Sequence, residues 1–332
     1  MSRPSLAGLL ASVLLVACRG GDGCSCNRFG KRAAEERSAT DVEMLGDGEP
    51  PRVTLRVARW TGLRYRTKFV AVGSLGVEGA PPLVGPTTSM VVENEVLRGS
   101  AEPIVERQHG GVVRLIEERA RLDGLTVSQP GVPQPALDFW NRALAPLRNT
   151  TYLQHVAESA EVTQLNSELL GGVMPPEAVA KAVDQALEQQ RHVPFRLPPS
   201  PVGVGARWRF REDLVMNGVR GTQSAEMTLR RVDANQAVVS VALRQEAPRQ
   251  AVSSPVSPGA SAVLESYEGD GGGELVVDRL TAIVVYGNIV AQARSTVSAE
   301  TAGKRNSATL VGTSSLHMEA TMLRDEPDGG PR

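Results

Sequence analysis

The chain has 332 residues, with 36 lysines and arginines against 37 aspartates and glutamates, so its formal charge is −1. A protein with this charge balance lacks the excess of basic residues that a general nucleic-acid binder needs. No apolar run reaches the roughly 18–20 residues of a membrane-spanning helix. The length allows one large globular domain or two small ones. Nearly all basic residues are arginines, which we interpret as a coding bias and not as a phosphate-binding signature.

The N-terminus is typical of an export signal. Arg3 precedes a 12-residue apolar run, Leu6–Ala17, which is too short for a stable membrane anchor. The run ends in Leu15-Val16-Ala17-Cys18, which resembles the lipobox of bacterial lipoprotein precursors. The resemblance implies that residues 1–17 are a signal peptide and that the Cys18 thiol receives a diacylglyceryl group. Cys18 would then be the first residue of the mature protein.

The lipid implied by this resemblance determines where the protein is held. Each buried CH₂ of an acyl chain contributes about 0.8 kcal/mol, so two or three chains on Cys18 make the attachment effectively permanent. In lipoproteins an Asp after the modified Cys favours retention at the inner membrane. Because this chain has Arg19 there, the resemblance implies the periplasmic face of the outer membrane.

Residues 18–51 are polar and of mixed charge, so they bury too little apolar surface to offset their ordering entropy. We predict a disordered tether here and a disordered tail over residues 324–332. Cys24 and Cys26 lie in the tether, and no cysteine follows them. They could form a strained disulfide, bind a metal together with Cys18, or remain thiols with no role in the core.

The globular domain is predicted over residues 52–323 and begins with strands. Alternating polarity predicts strands at Arg52–Ala58, Leu63–Val72 and Ser89–Leu97. Val112–Leu122 fits a strand or a helix.

The middle of the chain, residues 136–191, contains the predicted helices. Apolar residues at helical spacing predict helices at Ala136–Leu147 and Pro175–Arg191. Between them we predict a hairpin that joins Thr151–Val156 to Glu161–Leu165.

Strand patterns return after residue 200. They cover 206–214, 225–232, 237–245, 260–267, 274–280, 282–293 and 307–323. The glycine-rich segment Glu268–Glu274 predicts a hairpin turn between two of them. A calcium site in its acidic residues is the less favoured alternative, because the known spacings of calcium loops are missing.

A short motif occurs twice. Gly62-Leu63-Arg64-Tyr65-Arg66 is repeated as Gly205-Ala206-Arg207-Trp208-Arg209, each at the start of a predicted strand. We predict two related β-meanders, with Tyr65 and Trp208 buried and the flanking arginines facing solvent. The stretch Leu197–Trp208, proline-rich and then Val-Gly, resembles the corresponding segment of uncharacterised secreted β-rich bacterial lipoproteins. That resemblance implies a β-rich fold and no particular activity.

The predicted fold class is therefore α+β. A curved antiparallel sheet, built as two pseudo-repeated β-meanders or as a half-barrel, would have the central helical segment packed on it.

Residues with catalytic or metal-binding potential are scattered. The histidines, at 109, 155, 192 and 317, form no metal-binding spacing. Gly73-Ser74-Leu75-Gly76 lacks the first glycine of a nucleophile elbow. Gly303-Lys304-Arg305 lacks the spacing of a phosphate loop, and the adjacent Glu117 and Glu118 should point apart. We therefore assign no catalytic residue, cofactor-binding residue, cofactor or metal ligand, and Cys18 is the one assigned site.

These patterns predict an exported, lipid-anchored protein of the cell envelope that acts as a non-catalytic binding or scaffold module. Its expected partners are the membrane, through the lipid on Cys18, and either an envelope protein or a hydrophobic ligand, with no nucleic acid. Two alternatives stay open: a periplasmic carrier of a hydrophobic ligand or acyl chain, and a hydrolase without a recognisable motif. A cavity lined by apolar groups would favour the carrier, and convergent polar groups in a cleft would favour the enzyme.

Overall fold

The computed structural model describes residues 41–108, 111–145, 148, 150–168, 194–216, 219–253, 261–301 and 304–323. Several sequence predictions lie outside these residues: the signal peptide, Cys18, Cys24, Cys26, the helix at 175–191 and the tail at 324–332.

The first half of the domain is a β-meander with one helix. Its elements are β3 (Arg64–Val77), β4 (Leu83–Val84), β5 (Thr87–Arg98), β6 (Ile104–Gln108), β7 (Gly111–Ser128), helix α1 (Gln134–Leu144), β8 (Thr151–Ala157) and β9 (Val162–Glu168).

The second half is a meander of longer strands. It comprises β10 (Val202–Val204), β11 (Arg207–Met216), β12 (Val219–Val232), β13 (Gln236–Ala247), β14 (Gln250–Ser253), β15 (Ser261–Asp278), β16 (Val284–Thr301) and β17 (Lys304–Leu323). Two early strands complete the fold: β1 (Val42–Gly46) and β2 (Glu49–Val53).

The two meanders form one antiparallel sheet of 15 strands. The order along the sheet is β1-β11-β12-β13-β15-β16-β17-β3-β5-β7-β8-β9, with β4, β6 and β14 as short side strands. The last strand joins the halves, because β17 pairs with β3 from Leu323 opposite Arg64 to Leu310 opposite Val77. A separate two-stranded ribbon pairs β10 with β2.

The sheet curls until strands that are distant in its order share one core. Val156 of β8 and Trp208 of β11 lie near opposite ends of the strand order, yet both belong to the main hydrophobic cluster. Tyr65, Met227 and Leu275 belong to the same cluster. Since side chains alternate between the faces of a strand, every second residue of the long strands is available to this core.

The predicted α+β class is wrong, because the architecture is antiparallel β. The described ranges contain a single helix, α1, of 11 residues. It confirms the helix predicted at Ala136–Leu147, but one short helix does not make the fold α+β. The hairpin of β8 and β9 confirms the predicted one. Residues 112–122 fitted the sequence pattern of a strand and also that of a helix. They form part of strand β7, because β5 and β8 flank β7 and supply its backbone hydrogen bonds.

The predicted boundary between tether and domain is also wrong. Residues 42–51, assigned to the tether, contribute β1 and most of β2, and β1 pairs with β11. The strand predicted at Arg52–Ala58 ends at Val53, and residues 54–60 continue without strand structure. Alternation does persist in that segment, because Leu55 and Val57 are buried while Arg56 is exposed.

The glycine-rich segment Glu268–Glu274 is not a turn but the middle of the continuous strand β15. A Cβ on Gly273 would lie 1.9 Å from the carbonyl oxygen of Asn288, and one on Gly271 would lie 2.4 Å from that of Val290. The glycines therefore allow β16 to approach closely, which is the usual reason for glycine inside a strand.

The repeated motif has the same local structure in both halves. Gly62 and Gly205 have positive φ angles of 87° and 84°, a conformation that favours glycine. The Gly62 amide donates to the Val96 carbonyl, as the Gly205 amide donates to that of Leu229. Tyr65 and Trp208 are both buried at the starts of β3 and β11, as predicted. The four flanking arginines are exposed, as predicted: Arg64, Arg66, Arg207 and Arg209.

Candidate functional site: an arginine cleft

The segment before β3 is held in place by backbone contacts to two other parts of the fold. The Ala58 amide donates to the Leu280 carbonyl at 2.9 Å. Ser100 fixes the next residue, because its Oγ accepts from the Arg59 amide and its own amide donates to the Arg59 carbonyl. These bonds place Trp60 beside the turn between β15 and β16.

Arg59 anchors this segment from inside. Its Nη1 lies 2.6 Å from Oε1 of Glu118, a side chain with no exposed surface, and its Nε donates to the Thr281 carbonyl. Tyr65 Oη and Gln154 Nε2 both donate to Oε2 of Glu118. Burial opposes the charge of Arg59, but Glu118 leaves the pKa of this guanidinium above its ordinary value. The carboxylate is thus fully occupied by structural bonds.

The second half contains a comparable buried arginine. Arg196 Nη2 donates to Oε2 of Glu212 at 2.7 Å, and its guanidinium lies 4.7 Å from the centre of the Phe210 ring. Trp208 Nε1 donates to the Arg196 carbonyl at 2.8 Å. Each half therefore buries one arginine against a glutamate and beside the aromatic residues of its motif strand.

An open cleft of about 1040 Å³ lies on the outer side of the Arg59 segment. Its walls are residues 52–64, the turn between β12 and β13, the turn between β15 and β16, and the end of β17. We call it the arginine cleft, after the four guanidinium groups that line it: Arg52, Arg56, Arg64 and Arg279.

The positive charge of the arginine cleft is only partly neutralised. Arg52 lies 3.3 Å from Asp47, and Arg64 lies 2.9 Å from Glu93. Glu93 also forms an ion pair with Arg121. Burial alone would raise the pKa of Glu93, but the hydrogen bonds and charges of Arg121 and Arg64 lower it below its ordinary value.

The other two arginines of the cleft form no ion pair with a carboxylate of the described chain. Arg279 donates from Nη1 to the Asp233 carbonyl, and the Asp233 carboxylate lies near enough to interact with its charge. Among the described residues, Arg56 has neither a hydrogen-bond nor an ion-pair partner. Asp278, the carboxylate that lines the cleft, is committed to the turn: its Oδ1 accepts from the amides of Leu280 and Thr281 and from the Thr281 hydroxyl.

Two exposed apolar side chains accompany these charges. Trp60 is 54% exposed and Leu280 is 52% exposed, and both line the cleft. Guanidinium groups bind phosphate and carboxylate oxygens in bidentate geometry, whereas an indole offers a flat apolar surface with one donor. The arrangement is thus suited to an anion that also carries an apolar or planar part.

A second, smaller space lies on the inner side of Arg59. This inner pocket of about 130 Å³ is lined by residues of both halves, among them Arg59, Phe69, Phe195 and Met318. The Oδ1 of Asn94, a buried side chain on its wall, has no hydrogen-bond partner among the residues that the structure describes. Because ligand sites usually occupy about 300–1,000 Å³, the arginine cleft is the better candidate.

The residues considered for chemistry from the sequence are not brought together. His155 lies 3.7 Å from Glu117 on neighbouring strands, and His317 packs edge-on against Tyr286. Ser74 exchanges a hydrogen bond with Thr313, while His109 and His192 lie outside the described residues. Glu117 and Glu118 point apart, as predicted, since one is partly exposed and the other fully buried.

The described residues offer neither a metal-binding cluster nor a membrane-spanning helix. They contain no group of three or more His, Cys, Asp or Glu side chains arranged to hold a metal ion. In the same part of the chain, no helix is both long and apolar enough to cross a membrane.

The arginine cleft was not predicted from the sequence, because the abundance of arginine was interpreted as a coding bias. A local signal was present: no acidic residue occurs between Glu49 and Glu78, while six basic residues do. Arg279 had no comparable signal, since only the fold brings the turn after β15 to this segment.

Comparisons with known proteins do not place the chain in a family. Its sequence matches no protein-family model and no curated protein sequence. A structure of lipovitellin, determined for its lipid–protein interactions, is 9% identical with a TM-score of 0.43, and the match covers 82% of this chain and 26% of that one.

Two further solved structures show weaker likeness. The outer membrane protein OmpT of Vibrio cholerae, folded in vitro, is 8% identical with a TM-score of 0.16, covering 79% of this chain and 100% of that one. The toluene transporter TodX of P. putida is 10% identical with a TM-score of 0.12, covering 79% and 91%.

Proposed function

We propose that the protein is a lipid-anchored component of the cell envelope that acts as a non-catalytic binding module, and that the arginine cleft binds an anionic ligand. The single observation that carries the binding proposal is the cleft itself. It gathers four arginines in a chain whose formal charge is −1, and two of them, Arg56 and Arg279, form no ion pair with a carboxylate of the described residues.

A non-catalytic role is supported by the state of the titratable groups. The carboxylate that lines the cleft, Asp278, accepts three hydrogen bonds from its own turn. Burial raises the pKa of Tyr65 well above its ordinary value, and its hydroxyl is bonded to Glu118. Oδ1 of Asp278 and the Tyr65 hydroxyl are thus engaged in structural hydrogen bonds, and the four arginines are the groups of the cleft that favour a binding role.

The carrier hypothesis receives less support from the geometry. An acyl chain needs a long apolar space, whereas the inner pocket has about 130 Å³ and includes polar groups of Arg59, Asn94 and Gln154. The arginine cleft is larger, but half of its lining residues are charged or polar and four of these are arginines.

Attachment through Cys18 remains part of the proposal and has its own test. The Cys18→Ser variant should accumulate as an uncleaved precursor without lipid, as judged by mass spectrometry of the membrane fraction. A wild-type mature chain that begins elsewhere, with no lipid on Cys18, would refute the anchor while leaving the cleft untouched.

Anion binding is tested by calorimetric titration of the purified protein with inorganic phosphate and with citrate. We expect saturable binding of at least one of them, weakened about tenfold or more in the Arg56→Gln/Arg279→Gln variant, because each charged hydrogen bond contributes about 1.5–3 kcal/mol. The matched control is Arg114→Gln/Arg244→Gln, which removes two exposed arginines outside the cleft. Equal binding by both variants would overturn the proposal.

A further inference from the structure

The arginine cleft combines features that belong together at a membrane surface. Trp60 and Leu280 are exposed at a place where four arginines also face solvent. Tryptophan is enriched at membrane–water interfaces, where its ring is apolar and its N–H is wet. Arginine side chains bury their apolar stems while the charged ends reach phosphates.

The path of the chain brings this surface close to the predicted anchor. The predicted tether leaves Cys18 and enters the fold at Val42 in β1, about 24 residues later, a length that gives a flexible chain a reach of about 27 Å. β2 follows β1 and ends at Val53, so Arg52 lies only ten residues beyond Val42. One wall of the cleft, residues 52–64, is therefore among the parts of the domain that are nearest to the anchor along the chain.

From this placement we infer that the arginine cleft docks on the bilayer that holds Cys18 and binds the phosphate-bearing head group of an anionic phospholipid. Arg56 and Arg279 bind the phosphate oxygens, and Trp60 and Leu280 insert at the interface. This inference rests on the proposed function, because it names the anion. A membrane is favoured over a dissolved phosphate ester because two exposed apolar side chains flank the charges.

The expected contribution of charge is large enough to measure. A basic residue near an anionic surface gains about 1 kcal/mol, which corresponds to about a fivefold change in partitioning. Loss of both Arg56 and Arg279 should therefore weaken docking by about 25-fold.

The test uses the full mature lipoprotein, reconstituted in vesicles so that its lipid holds it on every membrane. One set of vesicles is phosphatidylcholine alone, and the other contains about one third phosphatidylglycerol. The readout is the tryptophan emission that disappears in the Trp60→Phe variant, together with its quenching by brominated lipid. We expect a blue shift and quenching only with the anionic vesicles, and their loss in Arg56→Gln/Arg279→Gln but not in Arg114→Gln/Arg244→Gln.

A second arm separates this inference from the proposed function. Soluble glycerol 3-phosphate is added to the protein on neutral vesicles. If it changes the Trp60 emission while anionic vesicles produce no quenching, the cleft binds dissolved anions and the membrane inference is overturned. If neither probe has an effect, the membrane inference is overturned, and the calorimetric titration alone decides the anion-binding proposal. Equal quenching on neutral and anionic vesicles would also overturn the inference, because the phosphatidylglycerol charge would then have no role.

Discussion

At the scale of single residues, the most consequential contact is the buried ion pair of Arg59 and Glu118. Removing one partner of such a pair leaves an uncompensated buried charge, which costs about 3–5 kcal/mol. We expect Glu118→Leu to lower the free energy of unfolding by this amount in denaturant titrations. The double variant Arg59→Met/Glu118→Leu should be destabilised less than Glu118→Leu alone, because no lone charge remains. A double variant that shows the sum of both single effects would contradict the pairing.

Glu265 should make the stability sensitive to acid. Hydrogen bonds from Ser298, Arg249 and Arg305 lower the pKa of Glu265 to about 2. Because the pKa is lower in the folded state, the contribution is fully present above the unfolded value of about 4.3 and is lost as the pH falls from there to about 2.

The measurement is the free energy of unfolding at several pH values across that window. The Glu265→Gln variant should lose less stability than the wild type between about pH 5 and pH 2. Glu226→Gln, which alters another exposed glutamate with an arginine partner, is the matched control. An identical acid dependence of Glu265→Gln and the wild type would show that Glu265 is not involved.

At the scale of elements, the glycines of β15 determine how closely β16 approaches. Gly273→Ala places a Cβ 1.9 Å from the Asn288 carbonyl oxygen, so the strands must separate. Gly269→Ala is the matched control, because its Cβ would be 3.3 Å or more from its neighbours. We expect Gly273→Ala to lower the melting temperature clearly more than Gly269→Ala. Equal melting temperatures would mean that the close approach has no energetic role.

The elements also show what the sequence could predict. Alternation located the strands whose residues are buried and exposed in turn, such as the starts of β3 and β11, because every second side chain of such a strand faces the core. It failed at Glu268–Glu274, where glycine permits close strands and does not mark a turn. It also failed for β1 and β2, whose residues are mostly exposed and whose partners lie more than 140 residues away.

At the scale of the whole molecule, the two meanders depend on their motif aromatics. Trp208 is fully buried and donates to the Arg196 carbonyl, whereas Trp60 is 54% exposed. Trp208→Ala should therefore destabilise the domain by about 3–5 kcal/mol. Trp60→Ala should stay within about 0.5 kcal/mol of the wild type. Denaturant titrations measure both, and a comparable loss from the two substitutions would contradict the assignment of core and cleft.

The candidate site could be predicted only in part, because it arises from the assembly of the whole chain. Arg52, Arg56 and Arg64 are close in sequence and visible as a run without acidic neighbours. Arg279 joins them because the turn after β15 bonds to Ala58 through the Leu280 carbonyl, a contact across more than 200 residues. A local sequence pattern cannot predict a contact between residues so far apart in the chain.

The central claim, that the arginine cleft binds an anion, is tested most directly by anomalous diffraction from crystals soaked in tungstate, a tetrahedral dianion of phosphate shape. We expect the strongest tungsten peak inside the cleft, with the tungstate oxygens within about 3 Å of the Arg56 and Arg279 guanidinium nitrogens. Tungstate bound at other arginines while this cleft holds none would contradict it.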